Sequence, residues 1–365
     1  MPNLSPMNSL NGINGINGIN GINGINGING INGINGINGY QGSISNPLLA
    51  QALNVTCQKI SAELTALDNT QWSKPNPAPH TSSNLKHNDA LTRFHILTGE
   101  IISNIQFAGD RGTATLSTNG VKWASFTRPD ASVFEAQLSL VLAQRSDREA
   151  RMPEILTQVT PQFAFWSAVC GLNPHRHAHT LELVTLALHT SMLVTQRIKH
   201  ELATPRPVEY SPHVQPLIQT PAYYAWPSGH ATEAFVFTKL MLALRPIPQQ
   251  DEQLIALSNR IADNRVVAGL HFPIDGVAGY VLADAYVDYF LNLAGASTTG
   301  VKLKTCDGTK MITDAQKRMK PTLDTSLYTD ELTKKIVSIN GETQAKPVKS
   351  DLLNWLWIQA SKEFE

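Results

Sequence analysis

An all-α helical bundle is the fold class this sequence predicts, on three observations. From Pro129 to about residue 293 the apolar residues recur at helical spacing, and no run of strand-like alternation interrupts them. Prolines and glycines fall where helices start and stop. The stretch is long enough for a bundle with its own core.

The spacing predicts helices at about 131–147, 153–171, 175–202, 229–245, 250–268 and 274–293. Pro153 and Pro174 suit first-turn positions, Pro205 and Pro207 stop the third helix, and Gly269 and Pro273 bracket the break before the last. Ahead of the bundle, Leu48, Leu49, Leu53, Val55, Ile60, Leu64 and Leu67 suggest an amphipathic helix, and residues 88–106 another. The Thr-, Ser- and Gly-rich stretch 109–128 reads as a hairpin or irregular loop. Residues 295–350 are polar and read as loosely packed or partly disordered, and the apolar segment 351–358 as a terminal helix docking on the bundle.

Residues 11–37 are nine uninterrupted copies of Asn-Gly-Ile. A period of three buries a continuous face in neither a helix nor a strand, and Asn-Gly favours turns. We expect a disordered low-complexity arm over 1–40, followed by a helical and loop region at 41–130, the bundle at 131–295 and a C-terminal extension at 296–365.

Lys plus Arg equals Asp plus Glu, at 29 each, so no global field draws the chain to nucleic acid or acidic lipid. Cys57, Cys170 and Cys306 are far apart and form neither a disulfide framework nor a metal-ligand pattern. No secretory signal or membrane span is legible, and a cytoplasmic location is expected.

The informative residues lie in three short blocks: Lys199-x6-Arg206-Pro207, Pro227-Ser228-Gly229-His230 and Arg265-x5-His271-x3-Asp275. Lys199 and Arg206 stand about two helical turns apart, so both can serve one spot, and Pro207 forces Arg206 into an extended conformation. Ser228 is a natural helix cap, the Gly229 backbone admits close approach, and the free amides of a helix start attract anions. Asp275, four beyond His271, can accept its ring N–H and fix its tautomer. Singly, each block has a bland reading: a basic helix end, a cap with a surface histidine, a salt bridge. Together they describe a pocket for a tetrahedral oxyanion with two histidines beside it.

These blocks resemble the signature of the superfamily shared by type 2 phosphatidic acid phosphatases, bacterial acid phosphatases and vanadium-dependent haloperoxidases, over about residues 130–295. The resemblance implies a helical bundle in which Lys199, Arg206, Ser228, the Gly229 amide and Arg265 contact the oxyanion. His271 is then the metal (vanadium) ligand or the phosphate-attacking nucleophile, and His230 the acid–base group. The stretch from Arg206 to Pro221 is similar to the haloperoxidase-like branch, and Tyr223, Tyr224 and Trp226 offer a wall for a halide or organic acceptor. Gln196 stands where characterised haloperoxidases often carry Trp, and the compact spacing from His230 to Arg265 is closer to the phosphatases. The favoured expectation is a haloperoxidase holding vanadate and using hydrogen peroxide, halide and an organic acceptor. The alternative is an acid phosphatase that needs no cofactor and cleaves a phosphomonoester through phospho-His271. A third is a non-catalytic oxyanion binder. Related enzymes often form homo-oligomers.

His175, His177 and His179 alternate after Pro174, but helical flanks spread them around the axis, which disfavours a zinc or copper site. His189 reads as a core residue and His200 as an exposed one.

Overall fold

The computed structural model describes residues 47–63, 77, 80–110, 112–159, 162–245, 247–297, 299–311, 337–343 and 349–365. The Asn-Gly-Ile arm and most of the polar stretch after residue 311 lie outside them. Helix α1 (Pro47–Glu63) and a 3-10 segment (Ser82–His87) belong to one compact unit, and everything from Ala90 onward to another.

The second unit opens with α2 (Ala90–Ser103) and a meander of β1 (Gln106–Asp110), β2 (Thr113–Thr118) and β3 (Val121–Thr127). Seven further helices follow: α3 (Ala131–Ala143), α4 (Arg148–Thr157), α5 (Phe163–Cys170), α6 (Ala178–Leu202), the single turn α7 (Pro207–Tyr210), α8 (Gly229–Leu244) and α9 (Pro248–Val267). Then come α10 (Pro273–Leu293), β4 (Lys302–Asp307), β5 (Val337–Thr343) and α11 (Asp351–Ser361).

The all-α expectation needs correcting. The molecule is mostly helical, but β1 to β5 form a five-stranded sheet in sequential order, antiparallel except where β3 meets β4 in parallel. β4 and β5 fall in the stretch expected to be loosely packed. Burial alternates along β2 and β4, yet β4 pairs with a strand some 180 residues earlier, and such a register leaves no local signature. The sheet packs on α10, where Trp123 stacks on Tyr289 with ring centroids 4.9 Å apart.

The expected helix at 153–171 is two. Pro153 sits inside α4 rather than at a helix start, and the chain breaks instead between Gln158 and Gln162. Pro153 costs α4 one internal hydrogen bond. The break delivers Gln158, fully buried, to the interior.

α8 is the central helix, packed by α6, α9 and α10, and its apolar residues Ala234, Phe235, Val236, Phe237, Leu240 and Met241 are all buried. Gly279 of α10 allows the closest approach: a Cβ there would lie 2.8 Å from both the Ala231 Cβ and the Ser228 carbonyl oxygen. The start of α8 is thereby pressed against the start of α10, and two of the three sequence blocks meet. At the other end of α6, the Glu363 carboxylate accepts from the His179 and Thr180 amides and caps the helix that carries Lys199.

Candidate active site

Lys199 occupies the last turn of α6, which ends at Ala203 in the left-handed conformation. Its Nζ donates to the Tyr224 and Ala225 carbonyls at 2.9 and 2.6 Å. Arg206, extended at φ −86 ψ 158 ahead of Pro207, donates from Nε and Nη2 to the Tyr223 carbonyl, and Nη2 also reaches the Tyr224 carbonyl. The segment 223–225 therefore holds two cations side by side.

From Arg206 the network runs to the third block. Arg206 Nη1 donates to the Leu270 carbonyl and to His271 Nε2, each at 3.0 Å. His271 Nδ1 lies 2.8 Å from Asp275 Oδ2, which also accepts from the Phe272 amide. An Arg donor at Nε2 and a carboxylate at Nδ1 define one tautomer: Nδ1 carries the proton and Nε2 the lone pair. The Asp275 carbonyl accepts the Ser228 amide at 2.8 Å, which ties this corner to the second block. Ser228 caps α8 through Ala231 N, and Gly229 and His230 form its first turn.

Arg265, in the last turn of α9, donates from Nη2 to the Ile155 carbonyl and to Gln158 Oε1 at 3.1 Å. The Gln158 carbonyl lies 3.0 Å from His230 Nε2, so that nitrogen carries a proton and Nδ1 is the one left to exchange. Lys199, Arg206, Ser228, Gly229, His230, Arg265, His271 and Asp275 thus belong to one connected network, and Lys199, Arg206, Ser228, Arg265, His271 and Asp275 are all buried.

Lys199, Arg206 and Arg265 are fastened by carbonyls, a neutral imidazole and an amide, and no carboxylate lies within salt-bridge distance of them among the described residues. Burial lowers Lys199 well below its ordinary value, with Arg206 adding to the effect, and burial lowers Arg265 to about 10. Two Arg265 donors, Nε and Nη1, are buried and have no partner. Burial, then the Arg265, Lys199 and Arg206 charges, hold His230 at about 3 against the opposing Gln158 carbonyl. Burial followed by the same cations keeps His271 neutral. Burial raises Asp275 to about 7, opposed by the Phe272 amide and by Lys199 and Arg206.

Two residues of this region escaped the sequence reading. Glu233 stands one turn after His230, and burial raises its carboxyl to about 7 against Gln162, Lys199 and Arg265. Its i,i+3 spacing from His230 was a usable signal. Gln158 was missed because the helix boundary was misplaced, although Pro161 three residues on was a local signal for that helix end. The alternating histidines are separated: His177 Nδ1 accepts from Asn173 N, His179 pairs with Glu363, and His175 is exposed. No cluster of three metal-ligating side chains occurs among the described residues.

Residues 181–295, which carry all three blocks, match the model of the PAP2 superfamily. A solved structure similar to it is described as the first transmembrane PAP2 type phosphatidylglycerolphosphate phosphatase from Bacillus subtilis. That match has 18% identity and a TM-score of 0.33, over 43% of this chain and 84% of that one. No curated protein matches the chain. No helix among the described residues is long and apolar enough to cross a membrane.

Proposed function

We propose that this chain hydrolyses phosphomonoesters through a phosphohistidine at His271. The observation that carries the reading is the set of buried cations without carboxylate partners around an imidazole whose Nε2 lone pair is fixed by Asp275. Lys199, Arg206, Arg265, Ser228 and the Gly229 amide bind the phosphoryl oxygens and stabilise the charge that builds on them. His271 Nε2 attacks phosphorus, the P–O bond to the leaving group breaks, and His230 Nδ1 gives its proton to the departing oxygen. Water then cleaves the P–N bond, with His230 taking a proton back.

The low ligand-free value of His230 fits this role. Its depression comes from burial and from Arg265, Lys199 and Arg206, and a bound dianion neutralises those charges. Substrate binding therefore loads the acid with its proton, and the activity is acid-favouring.

A second reading uses the same pocket. Its donor set, including the two unpartnered Arg265 N–H groups, also fits vanadate, which His271 Nε2 would ligate. When bound, that group supplies Lewis-acid activation of hydrogen peroxide towards halide. Tyr223 and Tyr224, both about half exposed beside the cations, favour an organic acceptor there.

The deciding experiment assays purified protein with p-nitrophenyl phosphate and, separately, with vanadate, peroxide and bromide. Vanadate-inhibited hydrolysis together with an acid-labile phosphoenzyme that His271→Ala abolishes is expected. Bromination of a phenol dye without hydrolysis would favour the haloperoxidase. Phosphate binding with neither activity would leave a simple binder.

A further inference from the structure

We propose that Gln158 is a further oxyanion-contacting residue, its Nε2 donating to the phosphoryl group held by Arg265. The inference rests on the pocket reading above, and it adds a residue outside the three motif blocks and outside the segment 181–295 that matches the superfamily.

Two donors settle which end of the Gln158 amide is which. Arg265 Nη2 and Asn264 Nδ2 both donate to Gln158 Oε1, at 3.1 and 3.0 Å. Two N–H donors need an oxygen between them, so the nitrogen is the opposite atom. That Nε2 is buried and without a hydrogen-bond partner, on a side chain with no solvent exposure at all. Arg265, bonded to the same amide, has two buried donors in the same state. Asn264 is in turn anchored by Arg151 and Glu154, so the amide is held from both sides.

A buried donor with nothing to donate to destabilises the fold. Here the unpartnered donors belong to two side chains that bond each other, Gln158 and Arg265, and the Gln158 carbonyl bonds His230. What they await is an acceptor with several oxygens. A tetrahedral oxyanion between Arg265 and His271 supplies it, and Gln158 reads the side of the anion nearest His230.

The test compares Gln158→Glu with Gln158→Met by calorimetric titration of inorganic phosphate and orthovanadate, alongside kcat and KM on p-nitrophenyl phosphate. Gln158→Glu keeps the acceptor for Arg265 and Asn264 but replaces the donor with an oxygen that repels the ligand. Its oxyanion affinity should fall by about 100-fold, and that of Gln158→Met by about 10-fold, in keeping with a lost hydrogen bond to a charged group. A residue that only props Arg265 predicts the reverse order, with the glutamate variant close to wild type. Phosphate affinity of Gln158→Glu within about threefold of wild type would overturn the proposal. Should that variant not fold by circular dichroism, Gln158→Asn withdraws the donor by one methylene, and an unchanged affinity there would overturn the proposal equally. Wild-type protein that binds neither phosphate nor vanadate would overturn the pocket reading itself, a distinct result.

Discussion

Two groups of buried cations lie within this unit, and their partners differ in kind. Lys304 of β4 is 4% exposed and sits between the carboxylates of Asp284 and Asp288, while Lys239 of α8 pairs with Asp284 from the other side. Lys199 is 1% exposed and hydrogen-bonds to carbonyl oxygens. Burial lowers Lys239, but Asp284, Tyr280 and Asp288 together outweigh it and the net displacement is upward. For Lys199 burial and Arg206 act together, and the displacement is downward. A cation matched by its own carboxylates holds the sheet on the bundle. A set of cations left without carboxylates is destabilising to bury, and the phosphate of the proposed reaction would relieve that.

The sharpest way to break this contrast is at the site. His271→Ala should lower kcat on p-nitrophenyl phosphate by about a thousandfold or more, since the attacking atom is gone. Next come the two lysines. Lys199→Met should abolish phosphate binding by titration and leave the ligand-free Tm equal or higher, because an unpaired buried charge is removed. Lys304→Met should leave kcat/KM alone and destabilise by at most about 3 kcal/mol, discounted from a fully buried pair because Asp288 is partly solvated. Equal Tm losses in the two variants would erase the distinction.

A smaller effect is expected at Asp275, which orients His271 without touching the ligand. Asp275→Asn should reduce kcat/KM by about 10- to 100-fold. The smallest effect is on pH dependence. His230 sits at about 3 in the fold against 6.5 ordinarily, so the unfolded chain binds its proton first and stability falls as pH drops from 6.5 towards 3. Glu233 is raised to about 7 from 4.5, so its contribution is lost as pH rises between those values. Thermal melts should show a shallower acid limb in His230→Ala, and a higher Tm for Glu233→Gln at pH 8 but not at pH 4.

How much was legible can be judged residue by residue. The boundaries of α6, α8, α9 and α10 were readable to within about three residues, because apolar spacing, Ser228 and Pro273 are local signals. The break at Gln158 does carry a local signal that the expected boundaries overrode: Pro161 falls inside the predicted 153–171 helix, where a proline ends or kinks it. The β3–β4 pairing was beyond reach for a different reason: a parallel register between distant segments depends on which surfaces meet.

Taken alone, the chain specified most of its helices and the residue types of the proposed anion site, because periodicity, capping and motif spacing act over a few residues. Tertiary structure decided that Lys199 would go without a carboxylate while Lys304 received two, and that an amide from outside the blocks would join Arg265 to His230. Partnership and desolvation are properties of what surrounds a side chain, and only the folded arrangement determines those surroundings.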